Sequence, residues 1–155
     1  MQARRALLVL AATTILAAPA MAQERPGERT GKFADPQPDI GNPRRIVISL
    51  SEDEPKRINA VLSNIVNIQK YYDAAQVKLA VIAYGPGIAA VLKDSPVAQR
   101  IAGLQDLEVE FIACGATLDT LKKTPADLLP EVKVVPNGLP EIVERSLTGW
   151  THLRP

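Results

Sequence analysis

The sequence predicts an α/β fold in three layers, α/β/α, built on a mainly parallel sheet of about five strands. Two observations carry this. Short β-branched and apolar runs recur along the chain, and segments with helical spacing of apolar residues lie between them. Strands separated in this way pair in parallel through right-handed crossovers. The runs are also continuously apolar rather than alternating, which suits strands buried on both faces.

Residues 45–50 (RIVISL) form the first strand. Ser51 and Glu54 follow at capping-box spacing, with Pro55 early in the next helix. Ile58, Leu62, Ile65, Gln69 and Tyr72 fall mostly on one stripe of that helix. Residues 77–83 (VKLAVIA) are the second strand, closed by Tyr84, Gly85, Pro86 and Gly87, and 88–92 give one or two helical turns. Ser95 and Pro96 read as an N-cap and first helical residue, with Val97, Ile101 and Leu104 on the buried face. The third strand lies within 107–114. Thr117 is placed to cap a short helix through Leu118 and Leu121, and residues 124–127 (TPAD) start another. A fourth strand over 132–135, a helix over 140–147 ended by Gly149, and an edge strand over 150–153 complete the pattern.

The front of the chain reads as an address. Arg4 and Arg5 precede an apolar stretch over 6–18 interrupted only by Thr13 and Thr14, and Ala20-Met21-Ala22 is an A-x-A cleavage site. Residues 1–22 are therefore expected to be a signal peptide, and the mature protein periplasmic or secreted. The stretch is short for a bilayer span, so no membrane attachment is expected after cleavage. Without Arg4 and Arg5 the chain has 16 basic against 17 acidic residues. Such a balance lacks the basic footprint of a nucleic-acid binder or of a polybasic membrane-surface protein. Residues 23–43 are rich in Pro, Gly and charge, with Phe33 and Ile40 as the only large apolar anchors. They are expected to form a flexible arm, because so little apolar surface does not repay the entropy of ordering. The folded domain is expected over 44–155.

Cys114 is the only cysteine. It ends an apolar strand and precedes a helix, which places its thiol at the C-terminal edge of a parallel sheet, where α/β proteins bind ligands. A helix start favours the thiolate, the reactive form. Gly115 permits close backbone approach, and the backbone N–H groups of Ala116, Thr117 and Leu118 are placed to point at the sulfur. Asp119 acts against the thiolate. The plain alternative is a cysteine packed at a strand end, since free cysteine is among the most buried residue types.

The turn formed by Tyr84, Gly85, Pro86 and Gly87 also follows a strand and is placed to shape a rim at the same edge. A rigid βα turn is the simpler reading on turn chemistry alone. It is not G-x-G-x-x-G, and no Walker pattern occurs, so no nucleotide cofactor is implied. His152 is the only histidine, and one His with one Cys makes no zinc site within a subunit. A Cys/His catalytic pair requires the last strand to bring His152 beside Cys114; a solvated edge-strand histidine is the simpler expectation. No G-x-S-x-G elbow supports a serine hydrolase. Asn59, Asn64 and Asn67 are placed on or near the polar face of the first helix, with Asn59 close to the helix start.

Residues 45–50 (RIVISL), 83–87 (AYGPG), 94–98 (DSPVA) and 111–115 (FIACG) together resemble the DsrE/DsrF-like family over about 46–155. The resemblance implies a compact three-layer α/β/α fold and a tendency to form oligomers. It also implies intracellular sulfur oxidation or sulfur relay, with sulfur held as a persulfide on a cysteine after the third strand, a role that falls on Cys114. Two departures stand out. Ala116 and Leu118 occupy positions where the exported branch carries Asn and Met, and the relay members are cytoplasmic whereas this chain begins with a signal-like segment.

The sequence therefore leads to an exported DsrE-like protein in which Cys114 takes up sulfur as a persulfide or mixed disulfide. Tyr84, Gly85, Gly87, Gly115 and Thr117 surround it. The expected partners are a sulfur donor or acceptor protein or a small thiol, and a second copy of the chain. No metal or other cofactor is implied. The alternative is a non-catalytic module that binds a small ligand or serves in an assembly, with Cys114 merely packed.

Overall fold

A computed structural model of the protein describes residues 31–155. The signal segment expected over 1–22, and residues 23–30 of the arm, lie outside the described residues. Five strands form one sheet: β1 (Arg44–Leu50), β2 (Val77–Ala83), β3 (Glu110–Cys114), β4 (Lys133–Val135) and β5 (Thr151–Leu153). Their order is β4-β3-β2-β1-β5, and every pairing is parallel. Among the described residues the α-helices are α1 (Pro55–Tyr72), α2 (Ala98–Gln105), α3 (Gly115–Thr120) and α4 (Gly138–Leu147).

Handedness explains where the helices sit. The chain steps from β1 to β4 in one direction across the sheet, so right-handed crossovers put all intervening connections on one face. The last step, from β4 back to β5 beside β1, runs the other way and must cross on the opposite face. The two packed clusters reflect this. Ile48, Leu50, Val81 and Phe111 meet Ile58, Leu62 and Ile65 of α1, Ile101 of α2 and Leu118 of α3. Val47, Ala80, Ile82 and Ile112 meet Ile142 of α4 alone. The central strands are buried on both faces, which is why their sequences are continuously apolar.

Several boundaries differ from the sequence expectation, each for a local reason. The capping box of Ser51 and Glu54 does not form. Glu54 is itself the N-cap of α1, without a side-chain cap, and Glu52 and Glu54 instead lie 3.7 and 3.5 Å from Arg57. Helix α2 starts at Ala98, because Ser95 closes a turn first: its Oγ accepts from the Val97 N–H (3.3 Å) and its carbonyl from Ala98 (3.1 Å). Residues Gly85–Val91 wind as a 3-10 helix. Residues 124–127 make a capping box on a single 3-10 turn, with the Asp127 carboxylate accepting from the Thr124 N–H (2.7 Å) and hydroxyl (2.9 Å). Helix α4 starts at Gly138, two residues before Pro140, which the first turn tolerates.

The arm is held from Phe33 onward rather than free. The Phe33 ring stacks on Tyr72 at 5.2 Å and meets the Tyr71 edge at 5.3 Å, and Arg44 donates to the Ala34 carbonyl. Residues 33–155 make one compact unit. This aromatic anchor lies 11 residues ahead of β1, whereas Ile40, the other candidate anchor, is 84% exposed.

Candidate functional site

In a parallel sheet the ligand crevice opens where the connections of neighbouring strands leave toward opposite faces. Here that point lies between β3 and β4. The chain leaves β3 into α3 on one face and leaves β4 into α4 on the other. A cleft of about 380 Å3 occupies this point, lined by Cys114, Ala116, Thr117, Asn137, Gly138 and Leu139, with Tyr84 and Gly85 from the end of β2.

Alternation along β3 decides where the thiol points. Phe111 and Ala113 face α1 and α2, so Ile112 and Cys114 face α4. Cys114 is also the N-cap of α3, with extended backbone (φ −76°, ψ 114°). Its side chain is only 6% exposed. Burial pushes the thiol up. Against this stand hydrogen bonds from the Thr117 hydroxyl and from the backbone N–H groups of Gly138, Thr117 and Ala116, and the balance holds the thiol below its ordinary value. Those N–H groups belong to the first turns of α3 and α4, where no intrahelical acceptor exists. The Ala116 N–H donates to the Pro136 carbonyl (3.0 Å).

Thr117 does not cap a helix. It sits inside α3, and its Oγ1 accepts from the Gly85 N–H at 3.1 Å. One side chain thus joins the turn after β2 to the surroundings that lower the thiol pKa.

Four of the residues singled out in the sequence, Tyr84, Gly85, Cys114 and Thr117, line one cleft. Gly115, the first residue of α3, lies beneath it. A Cβ there would come within 3.0 Å of the Val135 carbonyl, so glycine lets β3 and β4 end side by side. Gly87 is not at the rim. It is buried against the end of β1, where a Cβ would fall 2.1 Å from the Leu50 carbonyl. Asp119 is exposed and does not line the cleft.

His152 does not approach Cys114 within the chain. It lies on β5, with β1 and β2 between it and β3, a separation of three strand spacings or about 14 Å. Its Nε2 is hydrogen-bonded to Ser49 Oγ at 2.5 Å instead. Asn59 does not reach the cleft either; its carbonyl and side-chain oxygen accept from Arg100 of α2 at 3.2 and 2.6 Å.

Gly138 is the residue that the sequence did not single out. A Cβ on it would lie 3.1 Å from Ile82 Cγ2, 3.2 Å from Cys114 Cβ and 3.3 Å from Tyr84 Cβ. Glycine lets α4 begin closely packed against Cys114. The signal available was a glycine between a strand and a helix-compatible proline, legible only once β4 is known to end beside β3.

A family model for the DsrE/DsrF-like family matches residues 45–155. The chain belongs to the DsrE/DsrF-like family. Among solved structures, a protein of unknown function from Methanobacterium thermoautotrophicum, MTH1491, is similar at 32% identity with a TM-score of 0.70. The match covers 72% of this chain and 99% of that one. No curated protein matches. The parallel five-stranded sheet described above is thus the fold of a DsrE-like protein, and the family points to a role related to sulfur relay.

Proposed function

We propose that this DsrE-like protein is an exported sulfur carrier in which Cys114 accepts a sulfane sulfur and passes it on. The observation that carries this is the place of the thiol: Cys114 lines a cleft at the switch point of the sheet, where the Thr117 hydroxyl and the N–H groups of Gly138, Thr117 and Ala116 lower its pKa. Thiol transfer requires a thiolate, and a thiol held below its ordinary value favours that form. The Cys114 thiolate attacks the outer sulfur of a persulfide R–S–SH. A bond forms between Sγ and that sulfur, the donor's S–S bond breaks, and its electron pair leaves on R–S⁻. No electrons are gained or lost overall, so no redox partner enters. The donor or acceptor is a protein or a small thiol. A mixed disulfide with a thiol partner is the alternative resting form.

Export rests on the signal-like residues 1–22 and places the protein in the periplasm or outside the cell. Self-association is part of the same proposal. It is supported by the apolar Leu139, Val143 and Leu147 of α4, which are 57, 54 and 76% exposed on the sheet face that a single helix covers.

One observation favours the second reading, a packed structural cysteine: Cys114 is only 6% exposed. Alkylation of the native protein against pH separates the two. Rapid native labelling with a midpoint below that of a free thiol, followed by a mass gain of about 32 Da on incubation with a persulfide donor, supports the carrier. The same loading must vanish in Cys114→Ser. Labelling only after denaturation makes the cysteine structural.

A further inference from the structure

The sheet face that carries α1 leaves one strip open. Right-handed crossovers set α1, α2 and α3 over the strands from β1 to β4, and β5 lies beyond β1 with no described helix above it on that side. Leu153 of β5 pairs in register with Ile48, so both face α1. A groove of about 430 Å3 runs between this strip and the flank of α1, with Ile48, Ile68 and Leu153 as its aliphatic lining. Its two ends differ. Helix α1 returns from the end of β1 to the start of β2, so Tyr71 and Tyr72 stand near the start of the strands, while Asn64 and Arg154 stand nearer their C-terminal ends. The tyrosine end is backed by Phe33, whose ring packs on both tyrosines.

The polar end holds groups that the fold itself does not use. Asn64 and Asn67 lie about one turn apart on α1, and both line the groove. Asparagine disfavours a helix interior, because its carboxamide competes with the backbone for hydrogen bonds. Asn59 of the same helix is answered by Arg100 at 2.6 Å, whereas Asn64 and Asn67 have no side-chain partner among the described residues. Arg154 is the one charged side chain of the lining, and it forms no ion pair among the described residues.

We propose that this groove binds a medium-chain aliphatic carboxylate, with its head at Arg154 and Asn64 and its chain laid over Ile48, Ile68 and Leu153 toward Tyr71. An anionic head complements the unpaired guanidinium, and the carboxamides add donors beside it. From Asn64 to Tyr71 the helix rises about 10 Å, a distance that an extended chain of about eight carbons spans. The groove lies on the α1 face and Cys114 faces α4, so this site stands apart from the carrier reading.

Sodium octanoate titrated into the 15N-labelled full chain tests this, beside 1-octanol and octyltrimethylammonium. The expected result is saturable binding of octanoate, with amide chemical-shift changes gathered at Asn64, Asn67, Tyr71 and Leu153. The cationic analogue should bind at least about threefold more weakly. Affinity should rise about twofold to fourfold per methylene from butanoate to octanoate and level off by dodecanoate, once the chain outruns the groove. Arg154→Ala should weaken octanoate about threefold to fivefold and leave 1-octanol unchanged. Leu153→Glu, at a position 37% exposed, should abolish octanoate binding while the rest of the amide spectrum stays folded. Equal affinity for octanoate and the cationic analogue, or an Arg154→Ala variant that binds octanoate like wild type, overturns the carboxylate head. Chemical-shift changes that leave the groove unmoved, or no saturable binding at millimolar octanoate, overturn the site.

Discussion

The chemistry at Cys114 turns on two residues whose roles are separable. The Thr117 hydroxyl helps to lower the thiol pKa while its oxygen accepts from the Gly85 N–H at 3.1 Å. Thr117→Val keeps the shape and removes the hydroxyl. It should raise the thiol pKa and slow alkylation at neutral pH several-fold, whereas Thr117→Ser should retain most of the wild-type profile. An unchanged pH profile in the valine variant would show that the backbone donors suffice. Gly138 acts through space. Gly138→Ala places a methyl 3.1–3.3 Å from Ile82, Cys114 and Tyr84 and pushes α4 off the sulfur. It should cost about 1–3 kcal/mol in denaturant unfolding and also raise the thiol pKa. The place of Cys114 was legible in the sequence because a strand-to-helix junction announces a terminus and its free N–H groups; Thr117 was read as a helix cap, and its bond with Gly85 was not foreseen. Gly138 was not, because its importance comes from a partner 24 positions away that only the sheet order brings near.

Helix α4 owes its attachment to an ionic group as well as to Ile142. Arg145 donates to Glu141 and to Glu110 of β3, each at 2.8 Å, and lies 4.8 Å from the centre of the Trp150 ring. Lys133 of β4 completes the group at 2.8 Å from Glu110. Burial raises the Glu110 carboxyl, but the hydrogen bonds from Lys133 and Arg145 outweigh it and hold the group below its ordinary value. A carboxyl whose pKa is lower folded than unfolded stabilises the protein above the unfolded value, and that contribution disappears as pH falls through the folded one. Glu110→Gln should therefore be less stable than wild type near neutral pH, and the two unfolding curves should converge in acid. Parallel curves at all pH values would assign the loss to packing rather than charge. None of this network was foreseen, since it joins three elements. The strands and long helices were, because the apolar runs and the 3.6-residue stripe of α1 are local. The misplaced starts of α1, α2 and α4 share one cause: a Ser or Pro near a helix marks a turn as readily as a cap, and tertiary contacts decide between them.

At the scale of the whole molecule, one change of direction in strand order does two things. It sends α4 to the otherwise bare face, and it opens the crevice between β3 and β4 in which the thiol sits. The C-terminal edge of the sheet thus holds the Cys114 thiol, while the opposite end, where α1 finishes and β2 begins, carries the anchor for the leading arm. There the Tyr71 and Tyr72 rings stand perpendicular at 5.0 Å and Phe33 packs on both. The composition of 23–43 predicted a free arm, and composition averages away a single aromatic that finds two others. If the two ends are energetically independent, Phe33→Ala should remove about 1–3 kcal/mol of packing, lower the melting temperature by a few degrees and hasten proteolysis within 34–43. The pH profile of Cys114 alkylation should stay where it is. A shifted profile in Phe33→Ala would mean that α1, which runs the length of the sheet between the two ends, transmits the loss of the anchor to the thiol.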